Sequence, residues 1–253
     1  DALSRLQGIS EAALDEAAIA SGLAAVASGL NVEFSDFQIT AMDAQDWVAE
    51  NLAGFPSLQV GRYFMYGSHI QESVPGGAVG IKLDAGPAFG TGEHATTEGC
   101  LAAFDQLAKE GKKFRRILDM GCGSGILSLA AAKTWQTGII ACDIDPGAVR
   151  VACENARQNS VGGFIYAQAG DGYRTPLVQT QGPYDLIVSN ILANPLCQMA
   201  RDLRRYLDVG GMAVLSGFLV HDARRVAQHH VAAGLKLRRK IVVDGWTTLI
   251  MYR

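Results

Sequence analysis

The sequence predicts a doubly wound α/β fold with a sheet of seven strands, the last one antiparallel, and a small N-terminal α+β lobe. Three observations predict it. From residue 115 onward, short apolar runs alternate with helical segments, the pattern of a mostly parallel sheet. A glycine-rich loop follows the first of these runs directly. The chain ends in two β-rich runs separated by Asp244-Gly245, a strong hairpin signal that makes the last strand antiparallel.

The elements of this sheet follow from local patterns. Asp145-Pro146 and Asn194-Pro195 each predict a helix start, because Asp and Asn cap helices and Pro suits the first turn. Gly210-Gly211 is expected to end the helical segment before the fifth strand. Other helices are predicted at about 125–135 and 221–233. The strands are predicted at 115–120, 138–143, 164–168, 184–189, 212–216, 236–243 and 246–252.

The first 80 residues have a different character. A helix at about 10–28, a candidate strand at 32–41 and a polar stretch at 43–50 predict part of a separate lobe over 1–45. Residues 46–80 are interpreted as a linker and the start of the main domain, with SVPGGA at 73–78 as a connector. The main domain is then expected over 81–253.

Composition narrows the class of protein. The chain is 49% hydrophobic and 19% charged with a net charge of −3, so charge gives no case for nucleic-acid or anionic-membrane binding. Five cysteines form neither a CxxC pair nor a zinc spacing, which favours a reducing cytoplasm and no metal site. The apolar N-terminal stretch has no basic region before it, so it is interpreted as an amphipathic helix and not as a signal peptide.

The stretch RRILDMGCGSGILSLAAAK at 115–133 predicts a nucleotide site made by a strand, a glycine loop and a helix N-terminus. No Gly-Lys-Ser or Gly-Lys-Thr stands at P-loop spacing after Gly121, which excludes a P-loop, and Ile126 stands where a dinucleotide motif needs its third glycine. That glycine serves a pyrophosphate, which S-adenosylmethionine lacks, so the amino-acid end of S-adenosylmethionine can lie along Gly121 and Gly123.

Two carboxylates accompany the loop. Asp143 ends the second strand and can accept hydrogen bonds from both hydroxyls of a ribose, which suits NAD and S-adenosylmethionine equally. Asp119 either braces the loop or reaches the amine of the ligand. Together with the terminal hairpin, these features favour a class I methyltransferase (Rossmann-like) fold that binds S-adenosylmethionine.

Two flanking motifs concern the edge of the sheet where the ligand is expected. AFGTGEHATT at 88–97 predicts a loop that covers the ligand, after which Thr96-Thr97 open a helix at 98–108. NILANPL at 190–196 places the carboxamide of Asn190 at the end of the fourth strand, beside the expected methyl donor.

AFGTGEHATT, LDMGCGSGIL, CDIDPGAVRVACENA, NILANPL and GGMAVLSGFL, in this order, resemble the ribosomal protein L11 methyltransferase family (PrmA). The resemblance covers the chain from about Asp46-Trp47 onward. It implies methyl transfer from S-adenosylmethionine to lysine ε-amines and an N-terminal α-amine of one large-subunit ribosomal protein, in the cytoplasm. It also implies that residues 1–45 are part of a substrate-recruiting domain. By motif position, the implied cofactor contacts are Thr97, Gly121, Asp143 and Asn190.

The loop differs from the usual family pattern at Glu93 and Ala95, which stand in place of Thr and Pro. For the reaction, Asn190 is expected to orient the amine, and His94 or Glu93 is a candidate proton acceptor. Three alternatives remain open at this stage. They are a methyltransferase for another protein lysine or a small amine, a non-catalytic module that binds S-adenosylmethionine and a protein or ribosome, and a nicotinamide oxidoreductase.

Overall fold

The computed structural model of the protein describes residues 15–30, 57–68, 73–83 and 94–253. The chain divides into two compact units, Asp1–Trp47 and Val48–Arg253. In the first unit, helix α1 spans Glu16–Leu30. The Asp15 side chain caps it by accepting hydrogen bonds from the backbone N–H groups of Ala17 and Ala18 at 3.0 and 3.1 Å. The candidate strand at 32–41 and the polar stretch at 43–50 lie outside the described residues.

The described part of the second unit begins with a small three-stranded sheet, in the region that the sequence predicts as a linker and the start of the main domain. Its strands are β1 (Leu58–Val60), β2 (Tyr63–Tyr66) and β3 (Val79–Lys82), with β2 in the middle. The SVPGGA segment at 73–78 is part of the connection between the parallel strands β2 and β3 of this sheet. The Lys133 ammonium donates to the Gly80 carbonyl, and the Asn159 side chain bonds both backbone polar groups of Lys82. These contacts hold β3 against the main domain.

The main sheet has seven strands: β4 (Ile117–Met120), β5 (Ile139–Asp143), β6 (Ile165–Ala169), β7 (Tyr184–Asn190), β8 (Leu207–Leu219), β9 (Lys236–Val243) and β10 (Trp246–Tyr252). Their order in the sheet is β6-β5-β4-β7-β8-β10-β9. β10 lies between β8 and β9 and runs antiparallel to both, which confirms the predicted α/β class and the antiparallel last strand. The strand order reverses between β4 and β7, and such a switch point opens a ligand crevice at the carboxyl edge.

Helices cover both faces of this sheet. They are α2 (His94–Lys109), α3 (Ile126–Trp135), α4 (Pro146–Gln158), α5 (Pro176–Gln181), α6 (Ala193–Gln198), α7 (Ala200–Tyr206) and α8 (Ala223–Ala232). One buried cluster contains residues of α2, α3 and α4, and the other contains residues of α5 to α8. The adjacent β4 residues Ile117 and Leu118 belong to opposite clusters, because successive side chains of a strand point to opposite faces.

Two local predictions are confirmed in detail. Asp145 is the N-cap of α4, with its Oδ1 accepting from the Gly147 N–H at 2.7 Å and Pro146 in the first turn. Asp244 and Gly245 connect β9 to β10 with φ angles of 44° and 80°. Positive φ at both central residues is what a two-residue hairpin turn requires.

Two predicted boundaries are wrong. Asn194-Pro195 does not cap α6, because the N-cap position is Leu192 and both residues lie in the first helical turn. Proline is tolerated there since its missing N–H would have no helical partner, and Asn194 instead accepts from the Arg225 guanidinium at 2.6 Å. Gly210-Gly211 lies inside β8, which pairs with the end of the chain through Arg253.

Helix α2 also begins earlier than predicted. It starts at His94 and not after Thr97, so Thr96 and Thr97 lie within its first turn. Both threonines are buried. Within the described residues, no helix combines the length and the apolar character needed to cross a membrane.

Candidate active site

The glycine loop joins β4 to α3 at the carboxyl edge of the sheet. Gly121, Gly123 and Gly125 have φ angles of 77°, 52° and 81°, a region that only glycine enters readily. A Cβ on Gly121 would lie 2.3 Å from Ile191 Cγ2, and one on Gly125 would lie 3.0 Å from the Ala152 Cβ. A Cβ on Gly123 would meet nothing within 4 Å. The loop is therefore packed on both sides, and Gly123 borders open space that a ligand can enter.

Asp143 lies at the end of β5, beside this loop. Its Oδ2 accepts from the Gly123 N–H at 2.8 Å, and its Oδ1 accepts from the Asp145 N–H at 3.0 Å. The two backbone bonds fix the carboxylate in one orientation. A carboxylate has about four acceptor positions, so acceptor capacity remains for a diol. The structure therefore brings Asp143 and Gly123 together, as the sequence predicts.

Asp119, in β4, is the one fully buried carboxylate among the described residues of this edge, with 1% exposure. Its Oδ2 accepts a 2.6 Å hydrogen bond from the Ser128 hydroxyl, whereas its Oδ1 has no partner among the residues that the structure describes. Burial raises the pKa of Asp119 to about 6, and the nearby Asp143 charge acts in the same direction. An unpaired buried carboxylate oxygen is costly, so this position favours a cationic ligand group.

Asn190 ends β7, the parallel neighbour of β4, and so lies at the same carboxyl edge as the glycine loop. Its Nδ2 donates to the Thr96 Oγ1 at 3.1 Å, so the first turn of α2 contacts the end of β7. The side-chain Oδ1 has no hydrogen-bond partner among the described residues. The next residue, Ile191, contacts the glycine loop at Gly121 and bonds the Ser216 carbonyl through its N–H. Asn190 and the glycine loop therefore belong to one site.

Not every predicted site residue is placed in contact with this crevice. Thr97 is 5% exposed and makes no side-chain hydrogen bond to a described residue. His94 is the first residue of α2, but its side chain lies outside the described residues, as does all of Glu93. The described part of the chain contains no group of His, Cys, Asp and Glu side chains that could hold a metal ion.

Three residues close to this edge were not among the predicted site residues. Thr96 contacts Asn190, and the adjacent Thr97 stays a predicted cofactor contact. Ile144 follows the Asp143 carboxylate and is 77% exposed, and Leu192, two positions after Asn190, is 72% exposed. The signal for the last two was present in the sequence, because each is a large apolar residue within two positions after the polar end of a buried strand.

Comparison with known proteins indicates the family of this chain. The family model described as "Ribosomal protein L11 methyltransferase (PrmA)" matches residues 4–253. A ribosomal protein L11 methyltransferase of Caulobacter sp. (strain K31) is 42% identical over 214 residues, which cover 85% of this chain and 73% of the relative. One of Rhodopseudomonas palustris (strain BisB5) is 40% identical over 213 residues, with coverages of 84% and 72%.

Among solved structures, a ribosomal protein L11 methylase from Lactobacillus delbrueckii subsp. bulgaricus superposes with a TM-score of 0.69 and 25% identity. The superposition covers 79% of this chain and 98% of that one. The strand order, the glycine loop followed by Asp143, the Asn190 edge and the match over nearly the whole sequence are mutually consistent. The chain belongs to the ribosomal protein L11 methyltransferase (PrmA) family.

Proposed function

We propose that this protein transfers methyl groups from S-adenosylmethionine to lysine ε-amino groups and the N-terminal α-amino group of ribosomal protein L11. The observation that carries the proposal is the meeting of the glycine loop, the Asp143 carboxylate and the Asn190 carboxamide at one edge of the sheet. Its relatives bear the name of the same activity. We expect the protein to act in the cytoplasm, where ribosomal proteins are made.

The residues of the crevice fit S-adenosylmethionine. The unpaired Oδ1 of Asp119 is an acceptor for the methionine ammonium group, which would also compensate the buried charge. Asp143 would hold the ribose hydroxyls, and the exposed side chain of Ile144 would cover one face of the adenine. Gly121 and Gly123 would allow the methionine end to approach the backbone, with Thr97 as a further contact implied by its motif position.

When bound, S-adenosylmethionine supplies an electrophilic methyl group on a sulfonium. The protein's contribution is mainly to align the amine with it, which gains several kcal/mol through proximity alone. The Asn190 Oδ1 can accept a hydrogen bond from the amine and so direct its lone pair. A lysine amine, with an ordinary pKa of about 10.4, must first lose a proton, and an apolar surrounding lowers that pKa. We propose His94 as an acceptor of this proton.

The test is a transfer assay with methyl-labelled S-adenosylmethionine and unmethylated ribosomal protein L11, with the label located by mass spectrometry. The wild type is expected to label lysine and N-terminal amines. Asn190→Ala is expected to bind the methyl donor but to transfer it about 100-fold more slowly, because the amine is no longer oriented. Asn194→Ala is the matched control, since this exposed carboxamide of the same segment contacts Arg225 and not the crevice.

Three outcomes would contradict the proposal. Transfer to other amines but not to ribosomal protein L11 would indicate a methyltransferase with a different substrate. Binding of the methyl donor without transfer to any amine would indicate a binding module. Failure of the wild type to bind S-adenosylmethionine would refute the cofactor assignment itself.

A further inference from the structure

Thr96 is held by a buried network of hydroxyl groups that joins three elements. Its backbone carbonyl accepts a 3.2 Å hydrogen bond from the Ser216 hydroxyl of β8. Ser216 in turn accepts a 2.8 Å hydrogen bond from the Thr248 hydroxyl of β10. Thr96, Ser216 and Thr248 have exposures of 2%, 0% and 1%. Side chains as buried as these cannot exchange their partners for water, so the network fixes the first turn of α2 on the sheet.

The close packing of α2 on β10 beside this network requires a glycine at position 99. A Cβ on Gly99 would lie 2.3 Å from the Thr248 Oγ1, so only glycine lets α2 approach β10 this closely. The pairing of β10 with β8 shifts its register between Thr247 and Leu249, next to Thr248. The close approach of α2 therefore determines which of the two adjacent threonines reaches Asn190, and it selects Thr96.

We infer that Thr96 is the positioning residue that fixes the Asn190 carboxamide for amine recognition, an inference that rests on the proposed function. The Thr96 hydroxyl engages the Asn190 Nδ2, which leaves Oδ1 as the group presented by this side chain. An acceptor oxygen in this place suits an amine, which brings N–H donors. Without the hydroxyl, the carboxamide can rotate and present its NH2 group, which offers an incoming amine no acceptor for its N–H groups.

The test compares Thr96→Val with Thr96→Ser. Valine preserves the branched shape of the side chain and removes only the hydroxyl, whereas serine retains the hydroxyl. Thr96→Val is expected to lower kcat about 10-fold or more, since misplacement of a catalytic group is costly, and to leave the KM for S-adenosylmethionine within about twofold. Thr96→Ser is expected to recover most of the rate. Thr134→Val is the matched control, because this hydroxyl bonds Tyr63 at the far end of α3 from the glycine loop.

A double-mutant cycle separates positioning from a general loss of structure. In an Asn190→Ala background, Thr96→Val is expected to have little further effect on kcat, because the group that Thr96 positions is already absent. The same fold-loss of kcat in both backgrounds would overturn the inference, and so would an unchanged kcat in the single variant. A loss in Thr96→Val that appears as a higher KM for S-adenosylmethionine would show that Thr96 acts on the methyl donor instead.

A measurement that needs no activity keeps the inference separate from the proposed function. The two Nδ2 protons of Asn190 should give a dispersed, slowly exchanging side-chain amide signal in nitrogen-edited NMR spectra of the wild type. In Thr96→Val this signal should move and exchange faster. An unchanged signal would refute the positioning role. A changed signal in a protein that does not methylate ribosomal protein L11 would refute the proposed substrate alone.

Discussion

Replacing Asp119 by Asn should reveal how this protein balances stability against binding of its methyl donor. The wild-type carboxylate is buried, one of its oxygens has no partner in the described part of the chain, and its pKa is raised to about 6. Asparagine has nearly the same shape and retains a carbonyl oxygen for the Ser128 hydroxyl, but it carries no charge. The substitution therefore removes a buried charge that the fold itself does not compensate.

The size and sign of the effect follow from the pKa. The folded-state pKa lies above the ordinary aspartate value of 3.8, so the folded protein holds the proton more tightly than the unfolded chain. Stability from this group is thus fully present below pH 3.8 and is lost as the pH rises through about 6. The loss amounts to about 3 kcal/mol, at about 1.36 kcal/mol per pKa unit. About 2 kcal/mol of it falls between about pH 4.5 and 7.

The assay is urea unfolding of both proteins across this pH range, without S-adenosylmethionine. The unfolding free energy of Asp119→Asn relative to wild type should increase by about 2 kcal/mol from about pH 4.5 to 7. At pH 7, S-adenosylmethionine should then stabilise the wild type more than the variant, because the ligand ammonium compensates only a charged Asp119. Parallel stability curves for the two proteins would refute the reasoning, since they would show that Asp119 titrates equally in the folded and unfolded states.

Three further substitutions test the remaining parts of the site. Gly121→Ala should be destabilised by about 1–3 kcal/mol more than Gly111→Ala in urea unfolding: both glycines have positive φ, but only at 121 would the new Cβ meet a side chain, that of Ile191. Asp143→Asn should weaken S-adenosylmethionine binding about 10- to 100-fold by calorimetry, because charge-assisted bonds to the ribose are lost. Leu192→Ala should leave the urea midpoint unchanged, since the side chain is 72% exposed, but should raise the KM for ribosomal protein L11. An unchanged KM would remove Leu192 from the substrate surface.

Most of the main sheet could be predicted because its signals are local. The buried strands are continuous apolar runs, and the Asp145 cap and the Asp244-Gly245 turn depend on residues adjacent in sequence. The wrong predictions concern positions whose local structure depends on residues distant in sequence. Gly210 is in a strand because its N–H bonds the carbonyl of Arg253, and Asn194 bonds Arg225 instead of capping a helix. Neither partner is visible in a local pattern.

The same difference between local and distant signals applies to the residues of the candidate site. Gly121, Gly123 and Asp143 could be predicted to lie near one another because the strand, loop and carboxylate follow one another within a short stretch, and the Gly123 N–H does bond Asp143. The contact of Thr96 with Asn190, 94 residues away, could not be predicted, although motif position implied a cofactor contact at the adjacent Thr97. The choice between two adjacent threonines depends on the rotation of α2 about its axis. That rotation is set by packing on β8 and β10, which no window of sequence contains.

Local and distant contacts are expected to serve different parts of the reaction, namely binding of the methyl donor and orientation of the amine. The half expected to bind the methyl donor is built from β4, β5 and the loop between β4 and α3, a compact unit that can serve many methyltransferases. The half expected to orient the amine depends on contacts between elements distant in sequence, from Thr96 to Asn190 and from Gly217 to Ile191. A Cβ on Gly217 would lie 2.3 Å from the Ile191 carbonyl oxygen, so even the loop after Asn190 is fixed by another strand. Changes in packing far from the glycine loop should therefore alter amine transfer before they alter binding of the methyl donor.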